Sequence, residues 1–303
     1  MKPERIFAPV LLFAAAAWPA TIGSSGMATY LSYDAYTGKN DLTQPIFYAT
    51  PNPVVYGHGP YPVAIWVPGT FELSFDPLSL LFLTEMANRG FLAATVQYPN
   101  QELWQTCNAY TTRASAIFNT ASTTSAITAV CSLPGASCSK GVVTSGISQG
   151  GIIAILARNY APQVKATYAL DAGAMNQLGL NLGSCMAKSN TALPANRLVI
   201  VNGQADPSFG SQSATQAASG ITCPAGSTQC WSADGSGAGW YLVQNSEVTG
   251  GQAGHCYIDK KNVCNDNFDP NWLPPATSNW SLKPNLDWLA TFGTRRVFSP
   301  TGK

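Results

Sequence analysis

Residues 141–151 read GVVTSGISQGG, and this stretch decides the fold. Residues 141–145 form a short β-branched run that is typical of a buried strand. Residues 151–158 are almost all apolar and predict a buried helix. Ser148 lies at the junction, with a glycine two residues away on each side. The pattern therefore predicts a strand, a sharp turn that carries a serine, and a helix.

The pattern Gly-x-Ser-x-Gly is a weak signal in a chain rich in glycine and serine, so its context matters. A nucleophilic serine at a strand-to-helix turn needs very small neighbours, because the strand and the helix pass within contact distance of each other. Gly146, Gly150 and Gly151 meet this need. The N-terminus of the helix also supplies free backbone N–H groups where an oxyanion would form. The alternative is a purely structural turn.

A serine hydroxyl needs a neutral imidazole to accept its proton before it can attack an ester. The chain has two histidines, His58 and His255. His255 lies in a glycine-rich loop late in the chain, which matches the order serine, acid, histidine, so it is the favoured base. His58 lies between two glycines and predicts a surface turn.

A carboxylate must orient this imidazole and stabilise its charged form. Asp206 follows the predicted strand at residues 197–201 and precedes His255, which makes it the favoured acid. Asp171 follows the predicted strand at residues 164–170 and is the alternative acid. For either residue, the simpler interpretation is a turn-forming aspartate.

An oxyanion needs two hydrogen-bond donors. The backbone N–H of Gln149, directly after the nucleophile, is the first. The second is expected from Thr70 or Phe71, in the loop that follows a predicted strand at residues 62–67. Gly69 lets the backbone of that loop approach closely.

Apolar strands alternate with helices along the chain. The strands are predicted at residues 29–36, 45–50 with 54–56, 62–67, 91–98, 141–145, 164–170 and 197–201, and the helices at residues 77–90, 113–130, 151–158 and 284–294. This alternation predicts an α/β fold with a doubly wound, mostly parallel sheet flanked by helices. The stretch 210–239, rich in serine and glycine, predicts a long surface insertion. Residues 27–303 are expected to form a single catalytic domain.

Residues 1–26 have the layout of a secretory signal peptide: a basic start, an uncharged run at residues 6–17, and small residues after it. Cleavage is expected between residues 17 and 26. The alternative, a membrane anchor, is disfavoured because the run is shorter than the roughly 20 residues that a span needs. We therefore expect a secreted protein, extracellular or periplasmic, without stable membrane insertion. A net charge of +1 gives no electrostatic case for nucleic-acid binding.

Eight cysteines follow this segment, and an even number in a secreted chain indicates disulfides. Their pairing stays open, but short loops favour Cys131–Cys138, Cys223–Cys230 and Cys256–Cys264, which would leave Cys107–Cys185. There is no Cys-x-x-Cys pair, so no metal site and no cofactor are predicted. Asp266 and Asp269 lack the spacing of a calcium loop, so a solvated turn is expected there.

Several segments together resemble the α/β-hydrolase superfamily, and within it the compact secreted esterases related to dienelactone hydrolases and polyester (cutinase-like) hydrolases. The marks are Val67-Pro68-Gly69, residues 88–94, Arg113, residues 146–151, Lys165-Ala166 and residues 202–206. The long stretch between Asp206 and His255 departs from the family pattern, as does the segment 100–110.

The resemblance implies an α/β-hydrolase fold with disulfide-held loops, Ser148 as nucleophile, His255 as general base, Asp206 as acid, and Thr70 with Gln149 as the oxyanion hole. It implies a hydrolase of carboxylic esters, either short acyl esters or polyesters, that works through an acyl-enzyme. We expect it to be a monomer. The candidate residues that line the substrate pocket are Phe71, Trp104 and Trp231. The alternatives are an amidase or peptidase with the same triad, and a non-catalytic binding module.

Overall fold

A computed structural model describes residues 22–102, 106–175 and 181–293. Within these residues the chain forms one nine-stranded sheet, in the spatial order β1-β2-β4-β3-β5-β6-β7-β9-β8. The strands are β1 (Ile22–Asp34), β2 (Lys39–Pro51), β3 (Val63–Val67), β4 (Leu92–Val96), β5 (Val142–Ile147), β6 (Val164–Leu170), β7 (Leu198–Gly203), β8 (Gln229–Trp231) and β9 (Gly239–Val243).

The helices flank this sheet. They are α1 (Pro53–Tyr56), α2 (Pro77–Ala87), α3 (Cys107–Phe118), α4 (Ala126–Cys131), α5 (Gln149–Leu156), α6 (Gly183–Met186), α7 (Gln212–Ser219) and α8 (Leu282–Ala290). Single 3₁₀ turns at Cys138–Lys140, Ala157–Asn159, Lys188–Asn190 and Ala195–Arg197 complete the regular structure of the described residues.

The six central strands, from β4 to β9 in space, run parallel, whereas β1, β2 and β8 are antiparallel additions at the two edges. Every residue of β3, β4 and β5 is buried, as expected for parallel strands that helices cover on both faces. Alternate residues of β3 enter two separate cores: Ile65 packs on the side of α3, α4 and α5, and Trp66 on the side of α2 and α8. The predicted doubly wound α/β fold is confirmed.

Two local predictions are wrong. Residues 54–56, predicted as part of a strand, form helix α1, because the Asn52 side chain accepts a hydrogen bond from the Val54 N–H and Pro53 occupies the first turn. The helix predicted at residues 113–130 is divided into α3 and α4. The backbone of Asn119 is extended, and Ser125 begins the second helix by accepting a hydrogen bond from Thr128 N–H.

The stretch 210–239 is more than the predicted surface insertion. It contains α7, and its strand β8 pairs antiparallel with β9 and extends the sheet. The fully buried Trp240 of β9 donates a hydrogen bond from its indole N–H to the carbonyl of Ile221, which fixes the segment to the sheet. The segment is therefore joined to the nine-stranded sheet.

All eight cysteines form disulfides, in the pairs that the short loops favour: Cys107–Cys185, Cys131–Cys138, Cys223–Cys230 and Cys256–Cys264. Cys107–Cys185 joins α3 to α6. Cys256–Cys264 closes the loop that follows His255. In the described part of the chain, no helix has the length and apolar character needed to cross a bilayer. The predicted signal peptide lies mostly outside the described residues.

Candidate active site

Ser148 occupies the turn between the end of β5 and the start of α5, with φ 55° and ψ −122°. Such a backbone is strained for any residue other than glycine, and strain of this kind concentrates at functional sites. The neighbouring glycines are required by close packing. A Cβ on Gly146 would lie 2.5 Å from the carbonyl carbon of Gly150, and one on Gly151 would lie 2.8 Å from the carbonyl oxygen of Leu170. The turn therefore presents its serine at the carboxyl edge of the sheet.

The structure brings Ser148, His255 and Asp206 together. The Nε2 atom of His255 lies 3.0 Å from Ser148 Oγ, and its Nδ1 atom lies 2.8 Å from Asp206 Oδ2. The Asp206 side chain is fully buried, and its second oxygen accepts a hydrogen bond of 2.7 Å from the Ser208 N–H. With the proton on Nδ1, the imidazole can accept the serine proton at Nε2. His58 is exposed in a turn and does not line this site.

The loop that carries His255 is attached to the loop that carries Asp206. The Ala205 N–H donates a hydrogen bond of 2.8 Å to the carbonyl of Ala253. Gly203 permits this approach, since a Cβ there would lie 2.3 Å from the same carbonyl oxygen. This role of Gly203 was not predicted, although its place between a strand and the acid is a usable signal.

Asp171, the alternative acid, lies next to Asp206. It is fully buried, has φ 45°, and its Oδ1 atom accepts a hydrogen bond of 3.3 Å from the Gly203 N–H. Burial, and then the charge of Asp206, raise the pKa of Asp171 well above its ordinary range. Asp206, and not Asp171, makes the hydrogen bond to His255.

One group of side chains among the described residues could hold a metal ion. It comprises Asp171, Asp206 and His255, whose potential ligand atoms all lie within 4.8 Å of one another. The Nδ1 atom of His255 and a carboxylate oxygen of Asp206 are already joined by a hydrogen bond. Both belong to the hydrogen-bonded path Ser148–His255–Asp206, which we call the relay. The arrangement is accounted for without a metal ion.

The two predicted oxyanion residues lie side by side. Gln149 is the first residue of α5, and its side-chain amide donates hydrogen bonds to Thr70 Oγ1 at 2.7 Å and to the carbonyl of Glu102 at 2.5 Å. The Phe71 N–H donates to the carbonyl of Asn100 at 3.2 Å, which leaves Thr70 as the candidate for the second donor. The bracing role of the Gln149 side chain was not predicted, because nothing in the local sequence indicates its partners.

A comparison with family models finds no match, and a comparison with curated proteins finds none either. Solved structures do show similarity, but it is weak. A Klebsiella pneumoniae protein described as a dienelactone hydrolase is 18% identical, with a TM-score of 0.41 over 64% of this chain and 79% of that one. A cold-adapted esterase from an Arctic intertidal metagenomic library is 11% identical, with a TM-score of 0.44 over 65% and 81%.

Brefeldin A esterase, a bacterial homologue of human hormone-sensitive lipase, is 17% identical, with a TM-score of 0.37 over 51% of this chain and 41% of that enzyme. These likenesses are too weak to carry an argument, so the fold is assigned from the chain's own features. The strand order, the strained Ser148 turn after β5, and acid and histidine loops after β7 and β9 decide it. The chain has the α/β-hydrolase fold.

At the carboxyl edge of this sheet, a cleft of about 380 Å³ opens at Ser148. Phe71 lines it, as predicted, and is 61% exposed at its mouth. Trp231 lies on edge strand β8 and is not among the residues of the cleft, so that prediction is wrong. Trp104 lies outside the described residues. Residues that were not predicted add apolar surface to the lining: Tyr110, Met175, Leu182 and Phe209.

The lining of the cleft also includes four acidic residues: Glu72, Asp76, Asp259 and Asp266. No lysine or arginine is among the described residues that line the cleft. Burial, more than the neighbouring charges, raises the pKa of Glu72 to about 7 and that of Asp266 to about 6. Asp269 is fully buried and accepts hydrogen bonds from Thr249, so the solvated turn predicted for it is wrong.

Proposed function

We propose that this protein is a secreted serine hydrolase that cleaves carboxylic esters. The observation that carries the proposal is the continuous hydrogen-bonded path from Ser148 Oγ through His255 to Asp206, built on a strained turn at the carboxyl edge of a parallel sheet. A partly buried serine in a strained backbone, next to an imidazole that a buried carboxylate orients, is the arrangement required for nucleophilic catalysis.

In the proposed reaction, His255 Nε2 accepts the proton of Ser148 as Oγ attacks the ester carbonyl. Asp206 stabilises the imidazolium that forms. The backbone N–H groups of Gln149 and Thr70 bind the developing oxyanion, which is usually the largest single contribution to such catalysis. His255 then protonates the leaving alcohol. A water molecule, activated by the same imidazole, releases the acid from the acyl-enzyme.

The cleft supports substrates with an apolar acyl part and no negative charge. Its lining offers aromatic and aliphatic surface, together with carboxyl groups that would repel an anionic substrate. Phe71, which lines the cleft, is largely exposed. We therefore propose short acyl esters, or the exposed chains of a polyester, as the substrate class. The four disulfides support an oxidising location outside the cytoplasm.

The same triad would also cleave amides, so an amidase or peptidase is the second candidate activity. We propose that the protein acts as a monomer, with the ester substrate as its partner. A binding module without catalysis is disfavoured, because it would not need the Ser148–His255–Asp206 path or the backbone strain at Ser148.

The test is to treat the mature protein and the variants Ser148→Ala and Ser246→Ala with a fluorophosphonate probe. p-Nitrophenyl esters from acetate to palmitate, and matched anilides, are then assayed. Ser246 is an exposed serine outside the cleft and serves as the control. We expect labelling and ester hydrolysis by the wild type and by Ser246→Ala, and neither by Ser148→Ala. A folded wild type that neither reacts with the probe nor hydrolyses any ester contradicts the proposal, and faster cleavage of the anilides favours the amidase.

A further inference from the structure

The relay contains a second buried carboxyl group that the proposed reaction does not use. Asp171 follows β6 as Asp206 follows β7, and these strands are neighbours in the sheet. Asp171 is fully buried, and the side chain of Asp206 is fully buried as well. A carboxylate oxygen of each lies within 4.8 Å of the other and of an imidazole nitrogen of His255.

The hydrogen bonds around Asp171 leave one of its oxygens to face Asp206. Its Oδ1 atom accepts the Gly203 N–H, whereas no donor among the described residues reaches the buried Oδ2 atom. Asp206 cannot supply a donor as a carboxylate, because its two oxygens accept hydrogen bonds from Ser208 and His255. Two ionised carboxylates in this position would repel each other in a dry interior, and a proton held between them removes that repulsion.

We infer that Asp171 is a positioning residue of the relay, a protonated carboxyl group that donates a hydrogen bond to Asp206. With this bond, Asp206 has three fixed donors: the Asp171 O–H, the Ser208 N–H and the His255 Nδ1–H. Its carboxylate therefore keeps one orientation and presents a single negative charge to the imidazole. The effect on turnover rests on the proposed function, but the protonation of Asp171 does not.

The surroundings of Asp171 agree with a neutral side chain. The ionisable groups that face it are Asp206, Glu72, Tyr168 and Tyr257, besides His255 in the relay. Burial is the main cause that raises the pKa of Asp171, and it also raises the pKa values of Tyr168 and Tyr257, which keeps both phenols uncharged. The hydrogen bond from the Gly203 N–H favours an ionised Asp171, but burial outweighs it.

The variant Asp171→Asn tests the inference with little change of shape. Asparagine tolerates the positive φ of this position, its oxygen can accept the Gly203 N–H, and its amide can donate to Asp206. If Asp171 is already neutral, the variant leaves the charge near His255 unchanged. If Asp171 is ionised, the variant removes a negative charge within 4.8 Å of the imidazole.

The first measurement is an NMR titration of the histidine side chains, which is simple because the chain has only His58 and His255. We expect the titration midpoint of His255 in Asp171→Asn to stay within about 0.3 pH units of the wild type. A fall of about 1 unit or more would show that Asp171 carries a charge and would overturn the inference. His58 is exposed and serves as the internal control.

The second measurement is the infrared spectrum of the wild type at about pH 9, where Glu72 and Asp266, with pKa values of about 7 and about 6, are ionised. We expect the carbonyl stretch of one protonated carboxylic acid, absent from Asp171→Asn. A wild-type spectrum without this band overturns the inference, whether or not the variant folds. Both measurements are made on the free protein, so a failure of ester hydrolysis would be recognised separately.

Discussion

Gly150 lies against the carbonyl of Val67 so closely that a Cβ on the glycine would stand 2.0 Å from the carbonyl oxygen. Val67 is the last residue of β3, and Gly150 lies in the first turn of α5. The helix therefore crosses the end of the strand in direct backbone contact. Because real Cβ atoms do not come this near to an oxygen, any side chain at residue 150 must move the helix, and Ser148 with it.

Replacement of Gly150 by alanine should therefore destabilise the protein by about 3 kcal/mol or more and abolish hydrolysis. The control is Gly173→Ala, since a Cβ at that glycine would meet its nearest atom at an ordinary 3.4 Å. Urea unfolding and ester turnover measure the two effects. Wild-type stability in Gly150→Ala would contradict the packing described at this turn.

Asp206→Asn should lower kcat by about 10⁴-fold while the protein stays folded. The amide would favour the wrong tautomer of His255, because its NH₂ group can donate to Nδ1 instead of accepting from it. The exposed Asp41→Asn is the matched control and should retain full activity. A loss of less than tenfold in Asp206→Asn would mean that another group, with Asp171 the nearest, orients the imidazole.

Glu72 should make the protein less stable as the pH rises. The folded protein keeps the Glu72 proton until a pKa of about 7, whereas the unfolded chain releases it near the ordinary value of 4.5. The stability that Glu72 contributes is therefore complete below about pH 4.5 and is lost progressively up to about pH 7. Glu72→Gln keeps an acceptor for the Gly69 N–H but cannot ionise. As the pH rises from about 5 to about 8, its free energy of unfolding should therefore increase by about 2 kcal/mol relative to that of the wild type.

Urea unfolding of both proteins at each pH measures this gain. If the difference in the free energy of unfolding between wild type and variant is the same at the two pH values, Glu72 titrates normally in the folded state.

The disulfide Cys256–Cys264 should matter for catalysis as well as for stability. It closes the loop directly after His255, and the Cys256 N–H donates a hydrogen bond to the Asn262 side chain within that loop. Replacement of both cysteines by serine should cost about 2.5 kcal/mol and lower kcat about tenfold, since the base loses its fixed position.

The matched control is the double serine variant of Cys131–Cys138, a disulfide with nearly the same separation that lies outside the cleft. It should lose similar stability and keep its kcat. Equal losses of kcat in the two variants would show that the Cys256–Cys264 bond has no special effect on His255.

The central sheet could be predicted from the sequence because its parallel strands are buried on both faces and appear as apolar runs. The predicted strand at residues 164–170 coincides with β6, and the strand predicted at residues 141–145 overlaps β5. The three-residue strand β8 could not be predicted, because it is too short for a periodic signal and depends on its pairing with β9. The strand prediction for residues 54–56 was wrong because it rested on the strand preference of valine. Asn52 and Pro53, which precede these residues, start a helix instead.

The candidate residues of the site could be predicted from the sequence, but the hydrogen bonds that hold them in place could not. Asp171 and Asp206 both follow parallel strands and so reach the same edge of the sheet, and only the three-dimensional geometry shows which of them bonds to His255. The hydrogen bonds of the Gln149 side chain to Thr70 and Glu102 join parts of the chain that are far apart in sequence. No local pattern encodes them.

Phe71 is the position where a substitution can change which substrates fit the cleft while the Ser148–His255–Asp206 path stays intact. Phe71 is 61% exposed, so neighbouring groups place few constraints on the size of its side chain. Its N–H bond to Asn100 is made by the backbone and would survive substitution of the side chain. Selection for new substrates should therefore accumulate changes at the mouth of the cleft, while the glycines beneath Ser148 remain unchanged over long divergence.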